Sequence, residues 1–117
     1  MAHTDPSEAA GLVAATDDQI VGVAIYGEIA GTESAGKMHG MAVAADSRRH
    51  GIARMLIDAF VADLARRGAR WVLVEFPDAE ELAVGRTLLQ QCGFSEESRV
   101  PDYFRDGIGL CFLRLDL

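Results

Sequence analysis

The sequence predicts an α/β (α+β) domain: a mixed, mostly antiparallel sheet with one central parallel strand pair, in the order β-β-β-α-β-α-β-β. Three observations lead there. From Ile52 to Leu64 apolar residues recur at i, i+3 and i+4, the period of a helix with one buried face. Residues 71–76 (WVLVEF) form a near-continuous apolar run, as in a strand covered on both faces. A strand pattern precedes that helix and the apolar run follows it. A strand-helix-strand unit of this kind implies a parallel pair, with hairpins flanking it. The length of 117 residues bounds the chain to one domain.

Residues 1–10 are polar and are expected to be a disordered, frayed segment, leaving 11–117 as the domain. Residues 12–16 are a short apolar strand, Asp17 and Asp18 a turn, and residues 19–29 the returning strand of a hairpin. The stretch GTESAG at 31–36 is a loop by composition. Residues 37–43 (KMHGMAV) are a third strand, whose two-residue period puts Lys37, His39, Met41 and Val43 on one face. The long helix opens at Gly51 and stops at Gly68, with Arg66 and Arg67 favourably placed near its C-terminal dipole. After Pro77, Asp78 with Glu81 three residues on reads as a capping box opening a second helix that runs to Gly93. Residues 94–100 and 108–115 are two further strands, joined by a loop over 101–107 that carries Tyr103.

Composition excludes several classes of function. Eighteen acidic against 11 basic side chains give a formal net charge of −7, which argues against a nucleic-acid partner. Cys92 and Cys111 lie in apolar surroundings without a CxxC or histidine pair, so they read as buried thiols and no metal site is expected. The N-terminus has no basic and apolar leader pattern, and no apolar run approaches the roughly 20 residues of a membrane span. The expectation is a soluble cytoplasmic protein that does not engage membranes.

Chemistry concentrates in residues 48–54 (RRHGIAR), between a strand and a long helix. A helix N-terminus offers unpaired N–H groups and about half a positive charge, which suits a phosphate. Gly51 and Ala53 keep the first turn narrow, and Arg48, Arg49, His50 and Arg54 gather cationic side chains in an acidic chain. A diphosphate there would accept amide hydrogen bonds between guanidinium groups. A P-loop and a dinucleotide-binding glycine fingerprint are both absent from the sequence.

These residues resemble the GNAT superfamily of acyl-coenzyme A dependent N-acetyltransferases. Its signature, Arg/Gln-x-x-Gly-x-Gly/Ala after a strand, is matched by Arg48, Gly51 and Ala53 after Met41-Ala42-Val43. The later LLQQCGF at 88–94 resembles the second signature, a helix ending in Gly-Phe. The resemblance covers about residues 12–117 and implies a GNAT-like fold and acetyl-CoA as acyl donor. It implies that the diphosphate lies on the amides of residues 49–53, including Ile52, and that the pantetheine arm lies along Met41, Ala42 and Val43. The cleft would open between residues 37–43 and 71–76. The reaction implied is direct attack of a primary amine, from a small molecule or a peptide, on the thioester.

Three departures from the family pattern follow. The register puts His39 where some members carry a histidine, a residue type suited to taking a proton near neutral pH; Glu28 and Glu75 are its rivals as base. The family's thiolate-protonating tyrosine falls on Leu89, which leaves Tyr103 as a substitute acid. The family's first strand and first two helices have no counterpart, so the chain reads as a short form with an exposed edge strand, and a homodimer covering that edge is expected. The competing reading is a weak or inactive acyl-CoA-binding sensor or partner subunit.

Overall fold

The computed structural model describes residues 9–48 and 51–117. Six strands and two helices follow in the expected order: β1 Ala9–Thr16, β2 Gln19–Glu28, β3 Ala35–Val43, α1 Ile52–Arg66, β4 Trp71–Pro77, α2 Ala83–Gln91, β5 Ser95–Arg105 and β6 Ile108–Asp116. They build one sheet in the spatial order β1-β2-β3-β4-β6-β5. Only β3 and β4 run parallel; every other neighbouring pair is antiparallel.

The core forms where α1 lies on the sheet. Leu56, Ile57, Phe60 and Leu64, one stripe of the helix, are buried against Val21, Ala24 and Tyr26 of β2 and Val72 and Val74 of β4. The approach is close. A Cβ on Gly22 would meet Ile52 and Leu56 at 3.0 Å, and one on Gly36 would meet Leu64 at 3.0 Å. Leu89 of α2 and Phe94 join the same cluster.

A polar lock crosses this apolar interface. Tyr26, buried on β2, donates its hydroxyl to Asp63 Oδ2 of α1 at 2.6 Å. Asp63 also pairs with Arg67 at 3.1 Å and with Arg66, and the Arg67 guanidinium lies over the Tyr26 ring. Burial, then the Asp63 hydrogen bond and charge, push the Tyr26 phenol up to about 12, while the same bond holds the Asp63 carboxyl below its usual range.

Four details depart from the sequence reading. β1 starts at Ala9, paired with Gly27, so the expected frayed segment is already strand at residues 9 and 10; residues 1–8 lie outside the described residues. The α2 helix begins at Ala83 after a short 3-10 turn at Glu80–Leu82, not at Asp78. Asp78 caps nothing because Arg86, at 2.8 Å, and Arg99 take its carboxylate, tying α2 and β5 to the end of β4. The expected loop at 101–107 is mostly strand. β5 runs on to Arg105 with a bulge between Val100 and Arg105, and the chain then turns at Asp106 and Gly107. Finally, β3 is not a simple two-residue alternation. Its register with β2 slips between Ile25 and Tyr26, where Gly40 and Met38 are the successive partners, and leaves His39 as the extra residue of a bulge. Met38, Met41 and Val43 therefore all pack on the core side, and His39 and Ala42 are exposed.

Candidate functional site

The parallel pairing of β3 with β4 is short. It runs from Ala35↔Trp71 to Met38↔Val74 and then stops. Beyond that rung, β3 continues to Val43 against β2 alone, while β4 continues to Pro77 against β6. The two parallel strands thus splay, and among the described residues the β4-facing edge of β3 has no strand partner from His39 onward. An unpaired strand edge offers N–H and C=O groups to any extended, amide-bearing ligand.

The edge leads to the start of α1. Ala44 donates its N–H to Val21 O at 2.8 Å and ends the pairing with β2. A 3-10 turn at Ala45–Ser47 follows. Arg48 turns back, its Nε donating to Val43 O at 3.3 Å, so it fastens the loop to the end of β3. Gly51 stands at φ 76, ψ 10, a left-handed conformation that favours glycine, and no described side chain caps the helix it opens. A Cβ at Gly51 would meet nothing within 4 Å, so backbone conformation rather than crowding requires the glycine there. Among the described residues nothing else takes the N–H groups of the first turn, which suit an anionic ligand. Arg54 is exposed at this end and 3.9 Å from Asp58. Arg49 and His50 lie outside the described residues.

At the apex of the splay stands an ion pair. Lys37 Nζ donates to Glu75 Oε1 at 2.9 Å, with side chains 27% and 39% exposed. Lys37 is the residue before the last β3–β4 rung and Glu75 the residue after it. Both belong to the sheet face opposite α1, because their neighbours Met38, Val72 and Val74 face the helix. An open apolar hollow of about 230 Å³ lies farther along, between Ile20–Val23 of β2 and Ala42–Ala44.

The structure therefore joins most of the predicted cofactor residues along one path: the edge at Met41, Ala42 and Val43, then Arg48, then Gly51, Ile52, Ala53 and Arg54. The side chains of Met41, Val43 and Ile52 pack inward, so any part they take there is through their backbone. His39 sits exposed at the head of the path. Tyr103 does not. It lies on β5, 59% exposed and stacked edge-on against Phe104 at 4.9 Å, with β6 and β4 between it and the splay. Leu89, at the place of the family's tyrosine, is buried in the core. Burial raises the thiols of Cys92 and Cys111 and keeps both protonated. The Lys37–Glu75 pair was the residue constellation that strand patterning could not find, because it depends on the parallel register. Among the described residues no helix is long and apolar enough to cross a membrane.

Comparison with known proteins agrees with this geometry. The model of the acetyltransferase (GNAT) domain matches residues 7–96. A protein of Desulfovibrio desulfuricans assigned to the GNAT family superposes with a TM-score of 0.89 at 28% identity, covering 93% of this chain and 69% of its own. The ribosomal-protein-alanine N-acetyltransferase of Brucella melitensis gives 0.80 at 23% identity, over 92% of this chain and 68% of that one. A Salmonella typhimurium protein solved with its cofactor acetyl-CoA gives 0.80 at 19%, over 92% and 64%. No curated protein sequence matches the chain significantly.

Proposed function

Because the chain belongs to the GNAT acetyltransferase family, we propose that it moves an acetyl group from acetyl-CoA to the primary amine of a small molecule or peptide by direct attack. The observation that carries this reading is the splay of β3 from β4 after Met38↔Val74, with an unpaired edge leading to an uncapped helix start at Gly51.

In this reading the N–H groups of Ile52, Ala53 and Arg54 hold the cofactor's diphosphate, aided by the helix dipole. The β3 edge from Gly40 to Val43 pairs with the amides of the pantetheine arm as a strand would. An N–H of that edge, next to the bulge at His39, polarises the thioester carbonyl. Orientation supplies most of the rate, since two reactants held in line lose their encounter cost beforehand. His39, which follows the core-facing Met38 and is exposed, takes the acceptor's proton through a water. No side-chain acid is needed at sulfur. A thiolate is a far weaker base than an alkoxide or an amide ion, so it leaves without prior protonation and solvent can protonate it afterwards. Leu89 is then compatible with turnover, and Tyr103 takes no part while β5 holds it two strands away.

The proposed setting is the cytoplasm. The expected homodimer would cover β1, an uncharged edge strand whose Val13 is 61% exposed, with Ile25 of β2 beside it. Calorimetry with acetyl-CoA, followed by thiol release over a panel of amines, tests the function. Binding with amine-dependent thiol release is expected. Binding without release across the panel would leave the sensor or partner-subunit reading, and absence of binding would refute both.

A further inference from the structure

We propose that Lys37 is itself an acyl acceptor: the domain acetylates its own Lys37 from acetyl-CoA held in the β3–β4 splay. This rests on the acetyl-CoA reading above. Two independent observations carry it.

The first is compositional. Of the 11 basic side chains, ten are arginine and Lys37 is the sole lysine. Every other ion pair among the described residues is made by an arginine. An arginine would serve a cross-strand pair with Glu75 at least as well, because its planar fork matches a carboxylate. What arginine cannot supply is an amine that deprotonates to a nucleophile. The chain spends its one lysine at the apex of the cleft.

The second is positional. Lys37 lies one residue before the last parallel rung and Glu75 one residue after it, so the 2.9 Å bond between them spans the point where the strands part. A ligand lying along the unpaired edge of β3 toward that point ends against this pair. Both side chains are partly exposed, so a carbonyl carbon can reach Nζ without unfolding the sheet.

The step balances with these groups alone. The Lys37 ammonium passes one proton to the Glu75 carboxylate. The neutral Nζ then attacks the thioester carbonyl carbon, forming the N–C bond as the C–S bond breaks. Nitrogen loses its second proton, the departing thiolate gains one, and one proton reaches solvent from Glu75. The product amide is uncharged and its ion pair with Glu75 is gone, which leaves that carboxylate at the apex free to face an incoming cationic amine.

The test follows the full chain with acetyl-CoA by intact mass, the modified residue being located by peptide fragmentation. One acetyl group should appear on Lys37, about tenfold faster than when excess coenzyme A competes, as held reactants require. Lys37→Arg should remain unmodified while still binding acetyl-CoA by calorimetry, and Glu75→Gln should slow the modification. Acetylation at the α-amine alone, or a Lys37 rate indifferent to coenzyme A, overturns the inference. Thiol release with added amines while Lys37 stays unmodified overturns it and leaves the acetyltransferase reading standing. Failure to bind acetyl-CoA overturns both.

Discussion

Removing one hydroxyl at Tyr26 tests how α1, and with it the helix start at Gly51, is fastened to the sheet. In Tyr26→Phe the ring and its stacking on Phe60 remain, with centroids 5.7 Å apart in the parent, and only the 2.6 Å bond to Asp63 is lost. Asp63 keeps Arg67 and Arg66, so the cost is that of one hydrogen bond to a charged group, about 2 kcal/mol rather than that of an orphaned buried charge. For a chain this size that lowers Tm by about 8 °C. The pH dependence separates this bond from a packing effect. The folded Tyr26 phenol is raised from 10.0 to about 12, chiefly by burial and then by Asp63. Its stabilisation is therefore complete below pH 10 and is lost as pH rises from 10 to about 12. That loss is worth roughly 2–3 kcal/mol, and the variant cannot show it. Asp63 behaves oppositely: its lowered folded value stabilises above 3.8 and the gain fades as pH falls below it. Urea titrations at pH 7, 10 and 11.5 should show a gap of about 2 kcal/mol between parent and variant at pH 7 that closes on the alkaline side. Equal stability at pH 7, or a gap unchanged at pH 11.5, would refute the lock.

Gly51→Ala forces a Cβ into φ 76 and should cost about 1–2 kcal/mol of stability. Calorimetry should also show weaker acetyl-CoA binding, and unchanged affinity would detach the helix start from the site. His39→Ala should lower amine-dependent turnover about 100-fold with acetyl-CoA affinity retained, and steady-state kinetics decide whether His39 is the base. Gly109→Ala places a Cβ 2.8 Å from the Val100 carbonyl oxygen and should destabilise by about 1–3 kcal/mol in urea; a neutral result would mean the β5 bulge yields at no cost.

Local signals made the fold legible, and long-range ones explain what sequence alone missed. The α1 helix was readable because its stripe from Leu56 to Leu64 is periodic, and its end because Gly68 follows two arginines. The site's loop was readable because Arg48, Gly51 and Ala53 lie within six consecutive residues. The start of α2 was not. Asp78 has the chemistry of a cap, but Arg99, 21 residues away, competes for its carboxylate. Tyr103 lies on β5 rather than in a loop because Asp106-Gly107, a strong two-residue hairpin signal, makes the turn and leaves residues up to Arg105 in the strand. The bulge at His39 leaves no mark in composition, yet one inserted residue reverses the face of everything after it, sending Met41 and Val43 inward. The Lys37–Glu75 pair depends on parallel register across 38 residues, which no local pattern encodes.

The same long-range placement changes what the charges mean. Residues 48–54 read as a cationic cluster, but Arg48 is turned onto the Val43 carbonyl and Arg54 stands near Asp58. Both side chains thus already have a protein partner with which an anion would have to share them. Backbone N–H groups are not subject to such competition. They point along α1 whatever surrounds them, and no described side chain caps the turn after Gly51. Three of the acidic residues also have defined structural places. Asp63 fastens α1 to β2, Asp78 ties the end of β4 to α2 and β5, and Glu75 stands at the apex facing away from the helices. In the proposed reaction, a chain of net charge −7 would hold its anionic donor by main-chain dipoles and meet the amine from the side where Glu75, paired with Lys37, stands, so neither reactant would require a basic surface.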